Sequence, residues 1–474
     1  MSLKRREFLA AAGASLISTS LANALTKDGI QHTNDPDLSA TIPNIIVIIC
    51  DDLGYGDLGC YGGTLRSPNL DQMAKDGLRF THCNTPHPTC SASRAALLTG
   101  DYGSRSGVTS VFKPGDSGGM NLGIQTIATV LREQNYRTMA IGKWHLGRAG
   151  EYLPAGRGFE RYFGVPYSVD MEPLPLIVDR EIVEEHTNRD TLTARYTEEA
   201  VKFIKDGSKK PFFLYLGHSY PHVPIHASDR FRGTSGKGIY GDAVLEIDWS
   251  VGQIRKALQE QGCSENTLIF FTSDHGPWYQ GDPGRLKGRK GTNYEGGVRI
   301  PLLAVWEKHL PAGRTVDGFV SIMDILPTVA HYCKAPLASE KIDGVNMSSL
   351  ISGKSKELDR GIVLYTSGFD ANIHCGRWQD WKVRFAAYDI PPYVNDGKTR
   401  TSCTLAEPEL YNLRTDPAES YDVASEHPEI VQNMMRMVED KIATFPPKVQ
   451  EAYRQQKMTI GKHVTSGRLP VPQT

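Results

Sequence analysis

The chain has 474 residues, of which 39% are hydrophobic and 23% charged, and its formal net charge is −1. This composition is typical of a globular protein, and the charge excludes nucleic-acid binding through an overall basic surface. At this length one larger and one smaller domain are expected. The eight cysteines are scattered without C-x-x-C spacing, which argues against a zinc ribbon, a thioredoxin motif or a disulfide scaffold and leaves one or two disulfides open.

Residues 1–24 have the pattern of an export signal rather than of a folded element. A basic start at Lys4–Arg6 precedes an apolar stretch and the A-x-A cleavage box Ala22-Asn23-Ala24. The string Arg5-Arg6-Glu7-Phe8-Leu9 resembles the twin-arginine signal, with an ordinary secretory signal as the alternative. No later run of 18 or more apolar residues occurs, so no transmembrane helix is expected. The sequence therefore predicts an exported bacterial protein, periplasmic or secreted.

The central part of the chain alternates between strand and helix patterns. Asn44–Cys50 is a continuous apolar, β-branched run of the kind that lies buried on both faces in a parallel sheet. Further strands are predicted at 78–84, 137–144, 211–219, 266–273 and 301–306, and helices at 68–76, 90–99, 126–136, 191–206, 243–261 and 324–333. This alternation predicts an α/β fold with a mostly parallel central sheet sandwiched by helices.

Beyond about Leu350 the pattern changes to short strands at 362–367, 380–389 and 409–413, followed by a helix at 429–445. This predicts a smaller C-terminal α+β domain that carries an antiparallel sheet. The expected organisation is an export signal at 1–24, a larger domain at 42–350 and the smaller domain at 351–474.

Cys90 stands at the start of the predicted helix 90–99, with Arg94 one turn later and Gly100 at its end. The positive end of the helix dipole and a guanidinium group together favour an anion at this position. Two interpretations of Cys90 are open at this point. It is a small buried residue, or it is a nucleophile made acidic by Arg94 and the helix.

Other polar residues follow strands, where open α/β sheets place their sites. They are Asp51, Asp52, Lys143, His145, His222, Asp274 and His275. The carboxylates among them are ligands that Ca²⁺ and Mg²⁺ prefer. Lys143 and His145, two residues apart on an extended segment, are expected to lie on one side of it.

Five strings occur in the order typical of one family: DDLGYGD, CSASRAALLTG, GKWHLG, TSDHG and KGTNYEGGVR, between Pro43 and Pro301. Together they resemble the type I sulfatases, of the alkaline-phosphatase-like superfamily. Two positions depart from the usual signature, because Ala92 stands where many members have proline and Asp101 where an arginine often follows Thr-Gly. The resemblance implies an alkaline-phosphatase-like fold, with 42–350 as the catalytic domain, and a sulfuric ester hydrolase acting on a sulfated sugar or an aryl sulfate.

In that family the cysteine is oxidised to formylglycine, an aldehyde that hydrates to a gem-diol. The resemblance implies this modification at Cys90. It also implies that Asp51, Asp52, Asp274 and His275 hold one Ca²⁺ together with the Cys90 derivative. Imidazole is not a favoured Ca²⁺ ligand, so another divalent ion is an alternative.

The remaining roles are likewise implied by the resemblance. Lys143 and Lys290 would bind the sulfate, and Arg94 would hold the alkoxide of the nucleophile. His145 would contact the gem-diol and act as a base. His222 would also contact the sulfate, and either His222 or Lys290 would protonate the departing oxygen.

Two alternatives remain at this stage. The first is a phosphodiesterase or phosphonate hydrolase on the same fold, and the second is an inactive protein that binds sulfated glycans. The Cys-x-Ala form together with the leader favours a radical-type maturase as the partner that makes the formylglycine.

Overall fold

A computed structural model of the chain describes residues 42–338, 342–388 and 401–459. The predicted leader at 1–24 lies outside the described residues. Within Thr41–Thr474 the described elements form one compact unit that contains two sheets. The predicted domain boundary at 350 and 351 stays a prediction. No helix in the described ranges is both long and apolar enough to cross a membrane.

The strands and helices of the described ranges, numbered along the chain, include most of those predicted. The strands are β1 (Asn44–Cys50), β2 (Leu78–Asn84), β3 (Arg137–Lys143), β4 (Arg161–Val165), β5 (Leu176–Val178), β6 (Glu181–Glu184), β7 (Phe212–Gly217), β8 (Thr267–Ser273), β9 (Arg299–Val305), β10 (Arg314–Val316), β11 (Val320–Ser321), β12 (Val363–Thr366), β13 (Ile373–Trp378), β14 (Trp381–Tyr388) and β15 (Ser402–Asn412). The helices are α1 (Pro68–Asp76), α2 (Cys90–Thr99), α3 (Ile127–Glu133), α4 (Leu192–Ile204), α5 (Gly238–Glu260), α6 (Glu295–Val298), α7 (Ile325–Tyr332), α8 (Ser348–Ser352), α9 (Pro428–Ile442) and α10 (Pro447–Met458).

The large sheet has the order β10-β2-β9-β8-β1-β7-β3-β4-β5-β6, with β11 pairing β2. Its centre is β1, which pairs in parallel with β7 and β8. Every residue of these three strands is buried, as their continuous apolar sequences predict, because helices cover both faces. The predicted mostly parallel sheet is therefore confirmed.

The strand β9 runs antiparallel to both of its neighbours, β8 and β2, which its apolar sequence alone does not indicate. Beyond β3 the sheet continues with three strands that were not predicted. β4 pairs in parallel with β3, and β5 and β6 follow in antiparallel pairing. Helix α5 begins at Gly238, five residues before the predicted start, so the first turn lies outside the expected apolar pattern.

The second sheet is antiparallel, in the order β12-β13-β14-β15, as predicted for the C-terminal region. It is joined to the large sheet by a buried group of charged side chains. Lys382 of β14 donates to Glu295 of α6 at 3.1 Å and to Glu419 at 3.0 Å, and all three are fully buried. Arg377 of β13 lies 3.5 Å from the same Glu295. We call these four residues the buried ion cluster, because each charge is paired where an unpaired one is costly.

The strands β3, β4 and β7 meet at three glycines beside Lys143. Gly142 pairs with Gly164 on one side and Gly217 on the other. Gly142 has a φ of +92°, and a Cβ at this position would lie 1.9 Å from the carbonyl oxygen of Gly217. Only glycine allows this close approach, and with it the position of the adjacent Lys143.

We expect Gly142→Ala to lower the free energy of unfolding by at least about 3 kcal/mol, because it adds a backbone collision to a left-handed φ. Gly262→Ala is the matched control, since Gly262 has a φ of +63° but no atom within 4 Å of the added Cβ. Its cost is about 1 kcal/mol. Denaturant unfolding of both variants measures the difference, and equal losses would show that the collision is relieved.

Candidate active site

The ten residues that the sequence analysis singled out lie together at the carboxyl edge of the central strands. Asp51 and Asp52 follow β1, Lys143 ends β3 with His145 two residues on, His222 follows β7, Asp274 and His275 follow β8, and Lys290 lies in the turn before α6, with Cys90 and Arg94 on α2. Nine of them are buried, and Lys290 keeps 17% of its side chain exposed. The contacts below join positions up to 238 residues apart in sequence.

Cys90 is the first residue of α2, and all ten residues of this helix are buried. Its Sγ lies 3.4 Å from Asp51 Oδ1 and 3.3 Å from His275 Nε2. Burial, followed by the negative charge of Asp51, raises the pKa of the Cys90 thiol. The interpretation of Cys90 as a thiol made acidic by Arg94 and the helix is therefore wrong, because these two effects outweigh the nearby cations.

Each of the three carboxylates of the site has a different cation as its nearest partner. Lys143 Nζ lies 2.5 Å from Asp51, Lys290 Nζ lies 2.8 Å from Asp52, and Arg94 Nη2 lies 3.0 Å from Asp274. Burial alone would raise the pKa of Asp51, but Lys143, His222 and Arg94 hold it well below its usual range. Burial would also raise the pKa of Asp52, but Lys290, followed by His222, lowers it. Two of the three carboxylates are therefore ionised at neutral pH.

Asp274 differs from the other two carboxylates. Burial and the neighbouring Asp51 raise its pKa although the Arg94 guanidinium contacts it. Arg94 is held by further contacts, because it donates to the Lys143 carbonyl at 3.2 Å and to the Tyr215 hydroxyl at 3.4 Å. Arg94 is thus fixed in orientation between the strands β3, β7 and β8.

The ligand atoms of two overlapping groups each lie within 4.8 Å of one another, a spacing that a single metal ion can bridge. One group is Asp51, Cys90, Asp274 and His275, and the other is Asp51, Asp52, Cys90 and His222. The first group contains four of the five predicted metal ligands. Asp52 belongs only to the second, beside His222, which the sequence analysis had assigned to substrate rather than to metal.

His145 lies in a left-handed backbone conformation with a φ of +60°, so the segment after Lys143 is not extended, contrary to the sequence expectation. Its Nε2 lies 2.9 Å from the Phe112 carbonyl, which assigns the proton to Nε2. Its buried Nδ1 has no partner among the described residues. Burial and the charge of Lys143 hold the pKa of His145 well below its usual value, so the ring is neutral and Nδ1 carries a free lone pair.

His222 is oriented by its own chain and by a serine that the sequence analysis missed. His222 Nδ1 contacts the Val223 carbonyl, which turns Nε2 toward Asp52 at 3.8 Å and Ser168 Oγ at 3.5 Å. Ser168 is 2% exposed and follows the short strand β4. A polar residue directly after a strand is the same signal that identified the other site residues, but β4 itself was not predicted.

The turn after β12, in which the sequence assigns no residue a role, also reaches the site. Thr366 donates its backbone N–H to the Pro86 carbonyl at 3.1 Å. Thr89, the residue before Cys90, donates its hydroxyl to the Gly368 carbonyl at 3.0 Å. The small sheet therefore supports the loop from which α2 begins.

Comparison with known proteins agrees with this geometry. The sequence profile described as Sulfatase matches residues 43–335, and that of the C-terminal region of aryl-sulfatase matches 359–467. The chain belongs to the sulfatase family. It is 36% identical to human arylsulfatase A over 455 residues, which covers 85% of this chain and 90% of the relative.

Two further relatives support the assignment. A canine N-acetylgalactosamine-6-sulfatase is 34% identical over 453 residues, covering 85% of this chain and 87% of the relative. The solved structure of the sulfatase PsFucS1 from Pseudoalteromonas sp. superposes with a TM-score of 0.78 at 28% identity, covering 88% of this chain and 92% of that one. This sulfatase is therefore an enzyme whose reaction class is sulfate ester hydrolysis, and its alkaline-phosphatase-like fold is confirmed.

In this sulfatase the departure at Asp101 belongs to a buried contact at the end of α2. Asp343 pairs with Arg105 at 2.7 Å and with Lys441 at 2.7 Å, and donates its backbone N–H to Asp101 Oδ1 at 2.9 Å. Burial and the charge of Asp343 raise the pKa of Asp101 to about 7. The folded sulfatase therefore holds a proton on Asp101 where an unfolded chain releases it.

We expect Asp101→Asn to flatten the pH dependence of stability. Between the ordinary aspartate pKa of about 4 and the raised value of about 7, the unfolding free energy falls as the pH rises, because only the folded state retains the proton. Asparagine mimics the protonated form, so D101N should exceed the wild type by about 1–3 kcal/mol at pH 8 and match it near pH 4. Denaturant unfolding over a pH series measures this, and parallel curves would contradict it.

Proposed function

We propose that this sulfatase removes sulfate from a sulfated sugar of a polysaccharide or glycosaminoglycan, with aryl sulfates as surrogate substrates. The observation that carries the proposal is the position of Cys90, whose Sγ lies among paired carboxylates and cations at the centre of the site. Its relative named N-acetylgalactosamine-6-sulfatase supports a sugar as the leaving group.

The proposal includes formylglycine at position 90. Its hydrate supplies one hydroxyl as nucleophile and a second through which the sulfate is later released, which an unmodified thiol lacks. Cys90 is only 2% exposed, so a modifying enzyme must act before the chain folds. We therefore propose a maturase that acts on the unfolded chain, of radical type given Ala92, followed by export of the folded protein to the periplasm or beyond.

The residues present fit a divalent cation, because three buried carboxylates supply the oxygen ligands that Ca²⁺ prefers. Asp51, Asp52, Asp274 and His275 would hold the ion beside position 90. A bound divalent ion neutralises charge on sulfate oxygens and lowers the pKa of a coordinated hydroxyl. Ca²⁺ is the first choice, with another divalent ion as the alternative because His275 contributes a nitrogen.

The protein's own cations and histidines have separate tasks. Lys143, paired with Asp51, and Lys290, paired with Asp52, would bind the negative oxygens of the sulfate group. Arg94 is fixed by Asp274 and Tyr215 and stabilises negative charge on the nucleophile. His145 accepts a proton on its free Nδ1 as the sulfate is released.

The proton for the departing sugar oxygen comes from His222 or Lys290. Both contact Asp52, and Lys290 is the site residue with the most exposed side chain. His222 Nε2 also faces Ser168, whose hydroxyl can orient the bound sulfate through a hydrogen bond. The leaving group is therefore expected on the Lys290 side of the site.

A phosphodiesterase or phosphonate hydrolase uses similar groups, and a catalytically silent protein would bind sulfated glycans without turnover. We expect the wild-type enzyme, purified from its native host, to hydrolyse nitrophenyl sulfate faster than bis-nitrophenyl phosphate, because the site is built for a sulfate monoester. Cys90→Ala should lose activity by more than about a thousandfold. Preference for the diester would reverse the assignment.

The same native preparation tests the modification directly. The peptide that contains residue 90 should have a lower mass than the cysteine form, because oxygen replaces sulfur with loss of hydrogen. An unmodified thiol in a fully active enzyme would contradict the proposed nucleophile.

Removal of divalent ions should abolish turnover, and Ca²⁺ should restore it. An ion that binds only the folded state raises stability by about 2.7 kcal/mol at a hundredfold excess over its dissociation constant. Ca²⁺ should therefore raise the melting temperature of the wild type but not of Asp52→Asn. An equal increase in both proteins would place the ion elsewhere.

A further inference from the structure

The site opens to solvent on the side of Lys290. Its side chain is 17% exposed, whereas the other nine site residues are buried. A substrate therefore enters over Lys290, and its leaving group remains on this side when the sulfate is bound. Residues at this rim are the ones that meet the leaving group.

The turn at 367–372, which follows β12, forms part of this rim. Its Gly368 accepts a hydrogen bond from Thr89, the residue before Cys90, at 3.0 Å. A Cβ on Gly368 would lie 3.4 Å from Gly291, the residue after Lys290. Gly368 therefore lies beside both Thr89, which precedes Cys90, and Gly291, which follows Lys290.

The turn is held rigidly by its own polar groups. Asp370 accepts the backbone N–H of Asn372 at 2.8 Å and the hydroxyl of Ser402 at 3.1 Å, and it also contacts the hydroxyl of Ser367. Phe369 donates its backbone N–H to the Tyr388 hydroxyl at 3.1 Å. The turn is therefore held by hydrogen bonds to two strands of the small sheet, β14 through Tyr388 and β15 through Ser402.

On this fixed turn Phe369 presents an apolar ring that is 48% exposed. Its ring centroid lies 6.1 Å from that of Tyr388 at an angle of 50°, which leaves half of its surface free to contact a ligand. Exposed aromatic side chains on ordered loops beside a catalytic site are positioned for binding rather than for core packing.

We propose that Phe369 and its turn form the leaving-group subsite, with Phe369 stacking on the ring of the sulfated sugar. The inference rests on the proposed function and adds a recognition element to it. The π face of an aromatic ring carries partial negative charge and packs against the C–H groups of a pyranose. Such a contact binds the ring without touching the sulfate, so it determines which leaving groups are accepted.

The test compares Phe369→Ala and Phe369→Trp with the wild type on sulfated galactose, N-acetylgalactosamine and fucose monosaccharides. Phe369→Ala should raise KM about tenfold with kcat within about twofold, because stacking contributes to binding of the ring. Phe369→Trp should restore the wild-type KM. Inhibition by inorganic sulfate, which occupies only the sulfate position, should be unchanged in both variants.

Ile182→Ala is the matched control, because Ile182 is 52% exposed and lies on β6 at the end of the large sheet. An unchanged KM in Phe369→Ala would overturn the inference alone. An equal rise in the sulfate inhibition constant would also overturn it, because the turn would then only support the site. If the wild type hydrolyses nitrophenyl sulfate but none of the sugars, the proposed substrate class fails and the subsite falls with it.

Discussion

The structure depends on the burial of three carboxyl groups beside three cationic side chains at one edge of the central sheet. Each of these ions would cost several kcal/mol to bury alone, so the arrangement is stable only while Asp51, Asp52 and Asp274 keep their partners. The cationic members of these pairs, Lys143, Lys290 and Arg94, also supply the positive charge that a bound anion requires. Two of the residues at this edge, Asp52 and His145, adopt left-handed φ values of 67° and 60°, a strain that the surrounding packing must hold.

Much of this arrangement is predictable from sequence because the signals are local. A continuous apolar run such as Asn44–Cys50 can only be a buried strand or helix segment, and its length and β-branched residues favour the strand. Polar residues directly after such runs meet at the same edge in a parallel sheet. The helical pattern from Cys90 to Gly100 likewise predicts its own N-terminus, and α2 has these bounds.

The unpredicted parts depend on partners distant in sequence. The antiparallel direction of β9 relative to β2 and β8 cannot be predicted from the composition of β9. The low acidity of the Cys90 thiol results from burial and from Asp51, 39 residues earlier, rather than from its own helix. Thr89 donates its hydroxyl to the backbone carbonyl of Gly368. Because every residue has a backbone carbonyl, no sequence pattern identifies Gly368 as the partner.

The buried ion cluster links the small sheet to the region that contains the large sheet. Glu295 starts the helix that follows the Lys290 turn, yet its charge is neutralised by Lys382 and Arg377 of the small sheet. A chain shortened before β13 would leave this carboxylate, inside a protein interior, with fewer counterions than it needs. The larger region therefore depends on the small sheet for the counterions of its own buried Glu295, and loss of that sheet is expected to destabilise the helix that Glu295 begins.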